Sequence, residues 1–309
     1  MSTENRLQLD AGTYLGQGAT FFVEKKEAVG KQLVAIKHII LDEGPPVDSS
    51  YSESTRYRLN DVLLEVQALL HTGIARHPNI IELVGYGWDT GGIPFLVTEY
   101  ADSGDLHAFL SDSPITMDKK KKIAIEIAHG LDFMHECEII HGDIKLENIL
   151  VFSLSDNSFT AKLSDFGFCC MEALGNRAFR GTKVLNAPEI RQKQRFSNVA
   201  DDDIDYTLSD VYAFGLAVWE ILNDGRRFYD FEGIAIDSQD YARAESFLYK
   251  LDQDQMELVT YAYDFIARLR LPSTLEVTFH NVFEMTLPRD PKERAPVFDI
   301  LDTLDPKDE

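Results

Sequence analysis

Two neighbouring segments constrain this chain more than anything else in it. They are Ile140-His141-Gly142-Asp143-Ile144-Lys145-Leu146-Glu147-Asn148 and, shortly after, Lys162-Leu163-Ser164-Asp165-Phe166-Gly167. Any single member reads equally well as a capped turn or a surface acid. Together, Asp143, Lys145, Asn148 and Asp165 set two carboxylates, a carboxamide and a cation in one order, and that order is what a chance arrangement of turns does not supply.

A second signal lies upstream, in Leu15-Gly16-Gln17-Gly18-Ala19-Thr20-Phe21-Phe22-Val23. Two glycines one residue apart let backbone N–H groups press against phosphate oxygens without interference from Cβ atoms. Alone this is weak, and a plain hairpin accounts for it. It gains weight from Val34-Ala35-Ile36-Lys37 on what should be the adjacent strand. A lysine directed inward from a strand needs a counter-charge, and Glu65 on an amphipathic helix can supply it while the ammonium binds phosphate. The common chemistry is phosphoryl transfer, which needs a carboxylate to orient a hydroxyl, metal ligands, and a cation where negative charge develops.

Residues 12–40 alternate strand-like runs with glycine, which predicts antiparallel strands. Residues 41–58 are rich in Pro, Ser and Asp and read as a solvated loop. Leu59–Leu70 has a helical apolar period, Ile80–Val84 and Phe95–Thr98 read as strands, and the rest is mostly helical. The Lys119–Lys122 run reads as the solvated start of a helix. The expected architecture is α+β, a β-rich first third and a helical remainder joined near residue 100.

The 309 residues carry a formal net charge of −22. By segment the balance is −5 over 1–100, −5 over 101–150, +3 over 151–200 and −15 over 201–309. That excludes a nucleic-acid or anionic-membrane binder, which needs a basic footprint. Cys137, Cys169 and Cys170 cannot build a disulfide framework, and the adjacent pair reads as small buried residues. Met1–Asp10 has no apolar core, and the longest apolar run, Val211–Trp219, is too short to cross a bilayer. The expectation is a cytoplasmic or nuclear protein.

On these motifs the sequence resembles a eukaryotic protein kinase over roughly residues 12–302. His77-Pro78-Asn79-Ile80, Thr98-Glu99-Tyr100-Ala101, Gly181-Thr182 with Ala187-Pro188-Glu189, Asp210-Val211-Tyr212-Ala213-Phe214-Gly215 and Arg294 extend the likeness. Lys145 and Gly181-Thr182 resemble the Ser/Thr-directed pattern, while the Asp210 helix is similar to the tyrosine-kinase-like group. The resemblance implies a two-lobed fold with an N-lobe over about 12–98, a hinge at 99–103 and a C-lobe over 104–302, flanked by an extension at 1–11 and an acidic tail at 303–309.

The resemblance also implies ATP between the lobes, with Gly16 and Gly18 over its phosphates and Leu15, Val23, Ala35, Leu150 and Asp105 around the nucleoside. Thr98 would gate a deeper pocket, and main-chain groups from Glu99 to Ala101 would bind adenine. Lys37, held by Glu65, would contact phosphate oxygens, and Asn148 and Asp165 would hold Mg²⁺, or Mn²⁺ in its place. Asp143 would orient a Ser or Thr hydroxyl of a protein substrate, Lys145 would stabilise the transferring group, and Thr182 would lie against both. Leu69, Leu83, His141 and Phe166 would form a spine, Glu189 would pair with Arg294, and Asp210 would anchor its helix in the large lobe. Asp105, Glu147 and Glu220 fall where related kinases contact basic side chains beside the target hydroxyl, which predicts a basic substrate.

Three departures matter. Phe21 stands where the family has a third glycine, which would stiffen or shift the phosphate loop. Gly142 stands where most regulated kinases carry the Arg that pairs with an activation-segment phosphate. From Asp165 to Glu189 the one hydroxyl is Thr182, so activity should not depend on phosphorylation of that segment. His-Gly-Asp is also the spelling of small-molecule kinases of the aminoglycoside and choline type, and Phe21 motivates a nucleotide-binding scaffold. Both remain as alternatives. The stretch 41–58 reads as an insert whose Ser49, Ser50, Ser52, Ser54 and Thr55 lie beside the Glu65 helix.

Overall fold

Alternation of apolar and polar residues builds the first lobe. The computed structural model describes residues 12–306 apart from 19, 29, 42–51, 113, 157, 172–179, 196–203, 230–240 and 255. Strands β1 (Thr13–Gln17), β2 (Phe21–Glu27), β3 (Leu33–Ile39), β4 (Leu83–Trp88) and β5 (Pro94–Glu99) form one antiparallel sheet in the order β1-β2-β3-β5-β4. In β3, Val34 and Ile36 are fully buried on one face. The two-residue period therefore turns Ala35 and Lys37 to the other face, opposite Thr98 and Leu96 of β5.

Helix α1 (Glu53–Leu70) begins earlier than the apolar period predicts. Ser52 caps it, its hydroxyl accepting from the Thr55 N–H at 3.2 Å, and Thr55 is buried. The loop expected over 41–58 is corrected for 53–58, which are helical; Ser49 and Ser50 lie outside the described residues. The cap starts the helix and the apolar stripe further on packs it, so hydrophobic periodicity alone dated its start too late.

The second lobe is helical: α2 (Leu106–Asp112), α3 (Met117–Glu136), α4 (Pro188–Arg195), α5 (Tyr206–Leu222), α6 (Tyr241–Asp254), α7 (Leu258–Leu269), α8 (Ser273–Thr286) and α9 (Val297–Leu304). Its centre is α5, buried without a break from Ser209 to Leu222. The apolar run read there is the inside of the helical core, and no helix among the described residues is long and apolar enough to cross a membrane. The Lys119–Lys122 run is not a uniformly solvated start. Lys120 falls on the buried stripe of α3, donates to the Leu222 carbonyl at 2.9 Å and pairs with Asp224 at 2.6 Å, so a buried cation closes the C-terminal end of α5.

Two small ribbons hang the key segments on this helical base. Strands β6 (Ile139–Ile140) and β9 (Cys170–Met171) pair on one side, and β7 (Ile149–Ser153) and β8 (Phe159–Leu163) on the other. His141–Asn148 thus runs between β6 and β7, and Asp165 follows β8. Cys169 and Cys170 are buried beneath this segment, and burial pushes both thiols up to about 12, in keeping with small packing residues.

Candidate active site

The cleft between sheet and helices holds two cavities of about 590 and 440 Å³ that share Gly16, Val23, Lys37, Asp105, Glu147, Asn148 and Asp165. The smaller is walled by Leu15, Val23, Ala35 and Leu150 and backed by Thr98 and the main chain at Tyr100 and Ala101. Apolar walls with backbone at one edge suit a flat heteroaromatic base. Glu99 also lines this cavity, while its N–H donates to the Glu82 carbonyl at 3.1 Å and its carboxylate accepts from Glu82 N–H at 2.8 Å and Lys162 at 2.6 Å. Asp105 caps α2, accepting from Ala108 N–H at 2.9 Å.

Lys37 Nζ sits 2.6 Å from Glu65 Oε1 and 3.8 Å from Asp165 Oδ1. Burial works against its charge, but Glu65 and Asp165 outweigh that and raise its pKa. Asp165 shows the converse. Burial favours its protonated form, yet Lys37 and Lys145 carry its pKa below the usual value, which keeps the carboxylate ionised at neutral pH. Phe21 does not obstruct the phosphate loop. Its ring is buried with Ile39, Val62 and Leu96, lies 4.7 Å from Lys37 Nζ, and its carbonyl accepts the Gly18 N–H at 2.8 Å. The expected disturbance of the loop is thereby replaced by a buttress under the lysine.

Asp143 is a buried hub. Its Oδ1 accepts from the Thr182 N–H at 2.9 Å and the Thr182 hydroxyl at 2.7 Å, and its Oδ2 accepts from Lys145 at 2.6 Å and Asn148 Nδ2 at 2.9 Å. Lys145 also reaches Thr182 Oγ1 at 3.1 Å. Burial opposes the charge of Lys145, and Asp143 overrides it to raise the pKa. Because the Asn148 amide nitrogen is engaged, its carbonyl oxygen is the end left for a cation. A Cβ built on Gly16 meets nothing within 4 Å, so the chain itself does not require glycine there; an occupant approaching from the cleft would.

The supporting residues fall where the sequence placed them. Leu69 and Phe166 are buried in the main core with Leu83 packed on it, and the His141 and Phe166 rings lie 5.1 Å apart. Asp210 accepts the His141 N–H at 2.7 Å and the Gly142 N–H at 2.9 Å, and Arg294 forks onto Glu189 with two bonds of 2.8 Å. Gly142 has φ +78°, and a Cβ there would stand 2.5 Å from the Phe168 carbonyl, so this backbone path admits no arginine.

Two further arginines take part that the sequence did not single out. Arg180 donates to the buried Asp61 of α1 and to the Gly167 carbonyl at 3.1 Å, with its guanidinium 4.7 Å from the Phe168 ring. Arg227 pairs with Glu147 and, at 3.0 Å, with Glu220. Glu220 is buried, and both carboxylates already hold an internal cation. Neither arginine belongs to a motif, and only charge paired across distant segments could have found them.

The chain matches the protein kinase domain family over residues 9–303. Probable serine/threonine-protein kinase PBL4 of Arabidopsis thaliana is 36% identical over 169 residues, 52% of this chain and 37% of that protein. Probable serine/threonine-protein kinase PBL22 of the same plant is 30% identical over 233 residues, 71% of this chain and 53% of that protein. Probable serine/threonine-protein kinase roco5 of Dictyostelium discoideum is 35% identical over 216 residues, 67% of this chain and 7% of that protein. The chain thus spans about half or less of the length of these curated relatives. A family match from end to end, on motifs that the fold gathers into one cleft, makes this chain a member of the protein kinase domain family.

Proposed function

We propose that the chain is an ATP-dependent Ser/Thr protein kinase whose activity needs no phosphate on the activation segment. The observation that carries the first part is Asp143 held by Lys145, Asn148 and Thr182, with Lys37 engaged to Glu65 across the cleft. Asp143 orients the substrate hydroxyl and accepts its proton, and Lys145 faces the negative charge that develops. Asp165 and the side-chain oxygen Oδ1 of Asn148 would hold Mg²⁺, which would supply neutralising charge for the phosphate oxygens. Lys37, fixed by Glu65, aligns the nucleotide, and Gly16 lets the loop backbone close over it.

The second part rests on the arginine–aspartate clasp. A kinase that is switched by phosphate recruits that anion to a cation beside the catalytic Asp; here Gly142 removes the cation, while Arg180 binds Asp61 and Gly167 without any added group. Thr182, the segment's one hydroxyl, is committed to Asp143. The free cysteines and their raised thiol pKa values accord with action in the cytoplasm or nucleus.

Transfer of labelled γ-phosphate from ATP and Mg²⁺ to a panel of acidic and basic proteins tests the reading. Labelled Ser and Thr are expected, with a loss of roughly 10³-fold or more in Asp143→Asn and no loss after phosphatase treatment. Nucleotide binding without transfer would leave a scaffold, and label on a metabolite alone would leave a small-molecule kinase. Inactivation by phosphatase, with the lost phosphate mapped to Thr182, would end the claim of independence.

A further inference from the structure

The substrate side of the cleft carries a charge arrangement that the family resemblance does not predict. Glu147 stands four residues beyond Asp143 and lines the same cavity as Asp143, Lys145, Arg227 and Tyr229. Glu220 projects from the buried face of α5. Arg227 follows that helix and turns back so that one guanidinium nitrogen, Nη1, meets Glu220 Oε2 at 3.0 Å and the other, Nη2, meets Glu147 Oε1. Two carboxylates beside a target hydroxyl would otherwise make a receptor for an arginine or lysine of the substrate. Here the receptor is filled from within.

We propose that Arg227 is a specificity-determining residue that occupies the Glu147 and Glu220 site in place of a substrate cation, so that this kinase selects target segments without a basic residue at that position. The inference rests on the function proposed above.

Geometry and burial support it together. The side chains of Arg227 and Glu220 retain 10% and 1% of their exposure, and that of Glu147 retains 36%. The guanidinium takes one oxygen of each carboxylate, Glu220 Oε2 and Glu147 Oε1, and a second cation arriving from a peptide would have to displace it or lie against it to reach the oxygens left without a partner among the described residues. The residual charge is also small. Burial raises Glu220 to about 7, against the pull of Arg227. Burial likewise disfavours ionised Glu147, but its bond to Arg227 prevails and lowers its pKa. One full negative charge and part of another therefore surround one positive charge at neutral pH, leaving little field to attract a basic side chain.

Glu147 and Glu220 repel one another, and a fixed internal arginine relieves that repulsion permanently, where a substrate cation would relieve it only while bound.

A positional peptide library around a central Ser or Thr, phosphorylated by the full chain with ATP and Mg²⁺, tests the proposal. The wild type should show no enrichment of Arg or Lys at any position. Arg227→Gln should gain enrichment of Arg or Lys at one position, with kcat/KM for an arginine-bearing peptide over its alanine counterpart rising about tenfold. Enrichment of basic residues by the wild type overturns the proposal, and so does an Arg227→Gln profile that matches the wild type. If Arg227→Gln does not fold, the wild-type profile alone decides. Phosphorylation of peptides with a basic preference sinks this inference and leaves the kinase reading intact, whereas absence of transfer to every peptide and protein sinks both.

Discussion

On either side of Asp143 stands a cluster of one cation and two carboxylates, and the two behave oppositely. On the nucleotide side Lys37 touches Glu65 at 2.6 Å and keeps Asp165 at 3.8 Å, whose side chain retains 47% of its exposure. On the substrate side Arg227 binds both Glu147 and Glu220 and leaves the deeper of them 1% exposed. The Lys37 ammonium bonds Glu65 and leaves Asp165 at the longer distance, open to the cleft; the Arg227 guanidinium lies between its two carboxylates and bonds both. The same charges therefore make an open site in one place and a closed one in the other.

The largest effect should come from the open cluster. Lys37→Met removes the cation that aligns the nucleotide, and transfer should fall by roughly 10²- to 10³-fold. Because Glu65 is buried and loses its partner, Lys37→Met combined with Glu65→Gln should recover thermal stability without recovering transfer. Transfer restored along with stability would mean that Lys37 serves only to neutralise Glu65, and the two clusters would then be alike.

The closed cluster should show itself in the pH dependence of stability. Burial raises Glu220 from 4.5 to about 7. A carboxyl whose pKa is higher in the folded than in the unfolded state binds more protons when folded. Its contribution is full below about pH 4.5 and is lost as pH rises through about 7, at most on the order of 3 kcal/mol. Urea unfolding at pH 5 and pH 8 should therefore show a decline in the wild type that Glu220→Gln reduces. Equal pH slopes in the two proteins would mean that the cluster is hydrated and open.

How much of this the sequence carried follows from the range over which each contact is made. Asp143, Lys145 and Asn148 lie within one turn-rich segment, and Lys37 and Glu65 sit on elements whose periodicity is clear, so their roles were legible. Lys120 and Thr55 were not, because both are polar residues on a buried face, satisfied by Leu222 and Ser52. Arg180 and Arg227 were illegible for a further reason. Asp61 lies 119 positions from Arg180, and Glu147 lies 80 positions from Arg227 although its other partner, Glu220, is only seven away, so neither sequence neighbourhood shows the full pairing. Glu147 and Glu220 were legible as acids, whereas the cation that the fold brings between them was not.

The smallest expected effect concerns Arg180, which stands between the two cases. It bonds one carboxylate, Asp61, and through the same Nη2 it also donates to the Gly167 carbonyl. Its side chain is 36% exposed while that of Asp61 is 6% exposed, so solvent screens the pair on one side only. Burial raises the pKa of Asp61 despite the arginine, and once unpaired this carboxyl can take up a proton rather than stay charged in the core. Losing the clasp should therefore loosen the segment more than it destabilises the fold. Arg180→Gln should lower kcat/KM about three- to tenfold, and adding Asp61→Asn should cost almost nothing further, because both changes remove one interaction. Multiplying losses would show that the two residues act separately, and the clasp would then lend no support to activity without a phosphate on that segment.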